Sequence, residues 1–296
     1  MKNRLKKPGF LVVLAIIILC ILGIAAKFAW EYLQPQPKST DEMIFEGVEY
    51  IRDVRNSPRD IVIHVIKIDL KADGIRTLVT PGDPQAELPV KARTTSSFLA
   101  NNGLQIAING DGFTPWHSNS ILDYYPKTGD PVNPIGEAVS GGVRYSSETD
   151  DEPTLYISAT NQARFNVQIG KLYNAVSGNR TLVRNGKVIA TLDDEQPNPR
   201  TAVALDRASR HLILVVVDGR QPGYSEGVTL TELAEIMLYH GGYNAINLDG
   251  GGSSTMVIEG AGGSPRVLNS PINNGIPGRQ RPIGNHLGIY AKPLDK

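Results

Sequence analysis

The chain has 296 residues, 41% of them hydrophobic, with 30 basic and 30 acidic side chains. The balance hides a division: residues 1–38 hold six Lys and Arg against one acid, leaving 24 bases and 29 acids beyond them, a net of −5 that argues against nucleic acid as a partner. The single cysteine, Cys20, falls in the apolar N-terminal stretch, so the remainder has no disulfide and no thiol nucleophile.

Lys2, Arg4, Lys6 and Lys7 precede an apolar run from Phe10 to Ala26 that continues past Lys27 to Trp30. About 20 apolar residues suffice to cross a bilayer. The run therefore predicts a transmembrane signal anchor over 10–30, with 1–9 as a short cytoplasmic tail and the rest outside. A cleaved signal peptide, with Ala25 and Ala26 near the cleavage point, is the competing reading; the length of the run favours the anchor. Residues 31–46, with Pro35 and Pro37, read as a linker. Residues 47–293 then form one domain with no internal boundary and no repeat.

Within that domain the alternation of IVIHVIKIDL predicts a strand over 61–70, with 76–80 as its hairpin partner. Further strands are expected at 104–109, 154–159, 165–169, 181–183, 187–191, 201–205, 211–217 and 287–290. Helices are expected only at 95–101 and 229–240; the second carries Leu230, Leu233, Ala234, Ile236, Met237 and Leu238 largely on one face, a threonine cap and a Gly241, Gly242 stop. Residues 118–153, rich in Pro, Gly, Asp and Ser, read as a long loop or hairpin bordering a cleft. The expected class is a strand-rich α/β (α+β) mixed-sheet domain with few helices, preceded by one N-terminal transmembrane helix.

The chemistry concentrates at strand ends. NAINLDGGGSSTM (244–256) ends an apolar run in Asp249, then Gly250, Gly251 and Gly252, then Ser253, Ser254 and Thr255. The glycines let the backbone approach a ligand closely, and the N–H and hydroxyl groups suit anionic oxygen. The run HLILVVVDGR (211–220) stops at Asp218 and Arg220. If these two strands are parallel neighbours in a βαβ unit, Asp218, Arg220, Asp249 and the glycine loop share the sheet edge that ordinarily receives ligands. NGDGF (109–113) repeats the theme with Asn109 and Asp111. Taken singly, that segment, Ser177, Arg200 and Asn285 are ordinary turn and strand-entry residues. His64, His117, His211, His240 and His286 are scattered with no zinc spacing, so no cofactor is expected. A divalent cation held by Asp218, Asp249 and a phosphate is compatible with their hard oxygens but has no motif behind it.

Taken in order, NGDGF (109–113), AVSG (175–178), PRTA (199–202), VDGR (217–220), the helix with Glu232 and Ala234, NLDGGGSSTM (247–256) and RPIGN (281–285) resemble the phosphodiester glycosidase family across roughly 47–293. The resemblance implies a hydrolase that cleaves the glycosidic bond of a sugar-1-phosphodiester or related phosphorylated glycan. It implies Asp218 and Asp249 as catalytic carboxylates, with acid and nucleophile unassigned between them. Arg200 and Arg220 would clamp the phosphate. Gly250, Gly251, Ser253, Ser254 and Thr255 would add donors, and Asn109, Asp111, Ser177 and Asn285 would hold sugar hydroxyls. The expected partner is a phosphorylated sugar or cell-envelope glycan such as an exopolysaccharide, with membrane contact through 10–30 and an extracytoplasmic catalytic domain in a bacterial envelope. The alternative is a non-catalytic envelope protein that binds phosphorylated polysaccharide during its assembly or export.

Overall fold

The computed structural model of the protein describes residues 8–147, 152–192 and 196–294; the basic side chains of the expected tail at Lys2, Arg4, Lys6 and Lys7, and part of the 118–153 segment, lie outside the described residues. The chain groups into two compact units, Met1–Pro35 and Gln36–Lys296. The first holds helix α1, Pro8–Tyr32. The expected transmembrane helix is corrected here. Among the described residues no helix is long and apolar enough to cross a membrane.

The second unit is strand-rich. Its largest sheet has eight strands, and its centre runs Val48–Arg55, Ile61–Asp69, His211–Val217, Arg200–Leu205 and Asn244–Asn247, each antiparallel to the next. Strand side chains alternate between faces, so an apolar run with no polar interruption needs cover on both. Both faces are covered. Ile213, Val215, Ala202 and Ala204 point toward Leu233, Ala234 and Met237 of helix α3, Leu230–Tyr239. The alternate residues Leu212, Leu214, Val216, Val203 and Ile246 join a second core with Ile106, Ile108, Met256, Leu287 and Ile289.

Those last residues belong to a five-stranded sheet in which Met256–Glu259, Ile106–Asn109, His286–Tyr290 and Arg76–Val79 lie side by side, all antiparallel. Its outer face is covered by helix α2, Thr95–Asn102, through Phe98 and Leu99. The layers therefore run helix, sheet, sheet, helix. A further five-stranded sheet, centred on Leu172–Ser177, carries Ser177 at its end.

Both expected helices form, and α3 opens on a capping box: Thr229 accepts from the Glu232 N–H, and Glu232 reaches back to the Thr229 N–H at 2.9 Å. Four local expectations differ. Arg76–Val79 pairs with His286–Tyr290 rather than folding back on Ile61–Asp69. The strand expected at 165–169 is Ala163–Phe165, ending where Asn166 takes φ 58°. The strand expected at 187–191 is Lys187–Val188. The expected βαβ neighbours are also not neighbours. Arg200–Leu205 lies between His211–Val217 and Asn244–Asn247, antiparallel to both. The outer two still run the same way, so Asp218 and Asp249 leave the sheet at one edge, with Arg200 opposite Val217 on the strand between them.

Candidate functional site

That edge faces the end of the second sheet. Ile106–Asn109 delivers Asn109, Gly110 and Asp111 to it, and Asp249 N donates to Gly110 O at 3.1 Å across the seam. Asp249 is only partly buried and lines a cavity of about 210 Å³ with Gly112, Phe113, Trp116, Ile135 and Arg281. Burial raises its pKa above the ordinary carboxylate value, against the opposing pull of the Ser253 hydroxyl, the Arg281 charge and the Gly250 N–H, which donates at 2.8 Å.

Asp111 stands behind it, 3% exposed. Its Oδ2 accepts from the Gly136 N–H at 2.9 Å and from the Ser177 hydroxyl at 2.8 Å. Its pKa is also raised, first by burial and additionally by the negative charge of Asp249. The charge of Asp249 thus opposes ionisation of Asp111.

Arg281, to which the sequence reading assigned no role, is the cation of this cavity. Its Nε donates to Asn273 Oδ1 at 3.0 Å, one terminal nitrogen donates to Ser253 Oγ at 3.2 Å, and its guanidinium lies 5.1 Å from the centre of the half-exposed Trp116 ring. Burial and the positive charge of Arg220 lower its pKa, whereas Asp249 raises it. The glycine loop explains how the arginines approach. A Cβ on Gly252 would stand 2.5 Å from a terminal nitrogen of Arg281, and one on Gly251, where φ is +60°, would stand 3.2 Å from one of Arg220. The glycines are a bed for two guanidinium groups. Their N–H groups are largely spoken for: Gly250 donates to Asp249 Oδ1 and Gly251 to Pro199 O. The expectation that these two supply free backbone donors is corrected accordingly.

Several expected site residues hold the loops rather than face the cavity. Asp218 is turned inward with a fully buried side chain. Its Oδ1 accepts from Asn269 Nδ2 at 3.0 Å and Ser270 N at 2.8 Å, and its Oδ2 from His64 Nε2 at 3.1 Å and the Tyr224 hydroxyl at 3.3 Å. With Nε2 as donor, His64 Nδ1 accepts from the Tyr50 hydroxyl at 2.9 Å. Four donors saturate the carboxylate, which leaves no lone pair directed at a substrate, so its placement beside Asp249 as a second catalytic acid is corrected to a buttress. Asn269 carries that support onward, since its amide also bonds Ser254 O and Met256 N.

Asn109 is likewise fully engaged, donating to Asp249 O at 2.7 Å and accepting from Thr201 Oγ1 at 2.8 Å and Thr255 N at 3.1 Å. Ser177 spends its hydroxyl on Asp111. Thr255 and Ser254 are buried, and Ser254 Oγ has no partner among the described residues. Arg200 Nε donates to Val228 O at 3.3 Å. Arg220, exposed and with φ 58°, donates from Nε to Asn198 Oδ1 at 3.0 Å. The Asn285 amide is fully buried against the Cβ-free face of Gly110, and neither Nδ2 nor Oδ1 has a partner among the described residues. A buried group of that kind calls for a ligand or an ordered water. Among the described residues no cluster of three or more His, Cys, Asp and Glu is arranged to hold a metal ion.

The family model described as phosphodiester glycosidase matches residues 102–290. The bovine (Bos taurus) N-acetylglucosamine-1-phosphodiester alpha-N-acetylglucosaminidase is 29% identical over 210 residues, 62% of this chain and 37% of its own length. The mouse (Mus musculus) enzyme of the same name is 27% identical over 68% of this chain and 41% of its own length. The chain thus spans well under half of these relatives. Among solved structures, the zebrafish catalytic domain of that enzyme, auto-inhibited by its pro-peptide, superposes with a TM-score of 0.59 at 21% identity, covering 88% of this chain and 87% of that one. A hypothetical protein from Synechocystis gives 0.56 at 16% identity over 86% and 64%. Both share the fold.

Proposed function

We propose that this chain, which belongs to the phosphodiester glycosidase family, is an extracytoplasmic hydrolase that splits the glycosidic bond between a sugar and a phosphodiester. The observation that carries the reading is the shared cavity of Asp249 and Arg281, linked through the Ser253 hydroxyl. Arg281 and Arg220, both resting on the glycine loop, bind the phosphate as paired planar forks. Trp116 offers the sugar an apolar face beside them. Asp249 faces the anomeric carbon, and Asp111 sets the proton balance of the pair from behind.

The C–O bond to phosphate breaks with its electron pair leaving on the phosphate oxygen. Water supplies the hydroxyl that replaces it, and a carboxylate takes the water's proton. A phosphate leaves without much protonation, so one cavity-facing carboxylate can suffice where ordinary glycosides call for two. In this reading the chain's own residues carry the reaction without a cofactor. The N-acetylglucosamine-1-phosphodiester in the names of the bovine and mouse relatives makes that sugar the first to try. The absence of thiols and disulfides beyond Cys20 is compatible with an extracytoplasmic setting.

The test is hydrolysis of UDP-N-acetylglucosamine and a panel of sugar-1-phosphodiesters by the full chain in oxygen-18 water, with and without EDTA. Label in the released sugar, unaffected by EDTA, is the expected result. Label in the phosphate would replace this reading with P–O cleavage, and binding of the panel without turnover would favour a glycan-binding protein.

A further inference from the structure

A second recess lies at the opposite end of the Asn244–Asn247 strand. Its volume is about 460 Å³, and Arg164, Arg184, Arg207, Tyr243 and Asn185 line it; among the described residues its walls hold no acidic side chain. Ligand pockets in proteins run from about 300 to 1,000 Å³, so it accommodates one or two sugar units. The three arginines come from three separate segments: the strand Ala163–Phe165, the strand Arg180–Arg184, and the turn after Arg200–Leu205. Arg55, Arg59, Arg144 and Arg210 each face a carboxylate. Arg164, Arg184 and Arg207 face none among the described residues. Three exposed guanidinium groups at one recess, in a domain whose net charge is −5, form a local positive patch that attracts an anionic ligand.

The aromatic wall is built rather than incidental. Tyr243 N donates to Leu205 O at 2.8 Å, and Gly186 N donates to Tyr243 O at 2.7 Å. Gly186 has φ +73°, and a Cβ there would stand 3.1 Å from the tyrosine ring, so the turn presses flat against it. The Arg207 guanidinium sits 5.5 Å from the ring centre on the same residue. Asn185, at φ 52°, donates its N–H to Asn244 Oδ1 at 2.9 Å, which fixes the amide at the pocket wall. A fixed aromatic ring, amides and guanidinium forks are the groups that hold a saccharide bearing negative charge.

We propose that this recess is a second, non-catalytic site that binds a segment of an anionic glycan. The ligand class rests on the functional reading above; the site itself does not. The recess and the cavity of Asp249 and Arg281 share no lining residue, so the two are separate. A polymer held here raises its own local concentration at the cavity.

The test compares the full chain with a triple variant, Arg164→Ala, Arg184→Ala and Arg207→Ala, and with Tyr243→Leu, after circular dichroism and melting show each variant folded. Calorimetric titration uses glycosylated poly(glycerol phosphate), neutral dextran and inorganic phosphate. The unaltered chain is expected to bind the polyanion and not dextran, with affinity falling about tenfold or more in the triple variant and measurably in Tyr243→Leu. Equal affinity in the triple variant would overturn the site. Inorganic phosphate binding as tightly as the polymer, and indifferent to Tyr243→Leu, would overturn the glycan assignment. The arginines lie outside the proposed machinery, so turnover of a small sugar-1-phosphodiester should match between the unaltered chain and the triple variant. Absence of turnover in both would count against the catalytic reading and leave the binding comparison standing.

Discussion

At the scale of single residues, Asp249 and Asp111 define a testable pair. Asp249→Asn keeps the size and the Gly250 contact but removes the charge, and should lower kcat by about 10²–10⁴-fold on a sugar-1-phosphodiester. The same substitution removes one of the influences that raise the Asp111 pKa, so the Asp111 side-chain carboxyl, followed by carbon-13 NMR across pH, should titrate at lower pH in the variant. An unmoved titration would uncouple the two acids. Arg281→Lys separates geometry from charge. A lysine keeps the cation but cannot at once bond Asn273 and Ser253 and cover Trp116, so KM should rise about tenfold with the fold intact. The placement of Asp249 beside a glycine loop at a strand end was readable, because the glycines mark close approach. That of Arg281 was hidden, since its partners Ser253 and Trp116 lie far away in the chain; the signal available was its place in the RPIGN motif. Asp218 was misread for the same reason. Its saturation comes from His64, Asn269 and Ser270, none of them a sequence neighbour.

Elements differ in how far local chemistry specifies them. Helix α3 is encoded by the Thr229 and Glu232 pair and a single apolar face, all within twelve residues, and its existence was legible. Removing the Thr229 hydroxyl with Thr229→Ala should cost about 1 kcal/mol, read as a shift in urea midpoint. Strand partners were not legible: Arg76–Val79 looks like a hairpin arm, yet it spans some 200 residues to reach His286–Tyr290. His286 shows what that distant pairing buries. It stacks on Phe98 of α2 at 4.6 Å, bonds Thr80 through Nδ1, and is held neutral by burial and by Arg93, with a pKa of about 3. The unfolded chain takes up this proton near pH 6.5, whereas the folded chain does so only near 3. Stability is therefore fully present above 6.5 and is lost as pH falls, by up to about 1.4 kcal/mol per pH unit. His240, at about 4, adds a second contribution of the same sign. His286→Phe should flatten, without abolishing, the fall in urea stability between pH 6.5 and pH 4.

At the scale of the whole molecule, the cavity lies where strand ends of two sheets packed face to face come together, and Asn109 is the fastener. It sits at the end of the second sheet's Ile106–Asn109 strand and bonds the first sheet at Thr201 and at Asp249 O, while also holding the Thr255 N–H beyond the glycine loop. Thr201 and Thr255 are shielded from water, so a truncated side chain leaves them unmet rather than returned to solvent. Asn109→Ala should thus destabilise by roughly 2–4 kcal/mol, since each orphaned buried group costs about 1–3 kcal/mol and partial relaxation recovers some of that. Asn109→Asp should restore the acceptor half toward Thr201 and Thr255 but set a carboxylate against Asp249 O, giving an intermediate loss. If the sheets remain docked through their apolar core while the loop loosens, the kcat of Asn109→Ala should fall further than its urea midpoint implies. Equal activity per folded molecule would mean that the core alone, without Asn109, sets the distance between Asp111 and Asp249.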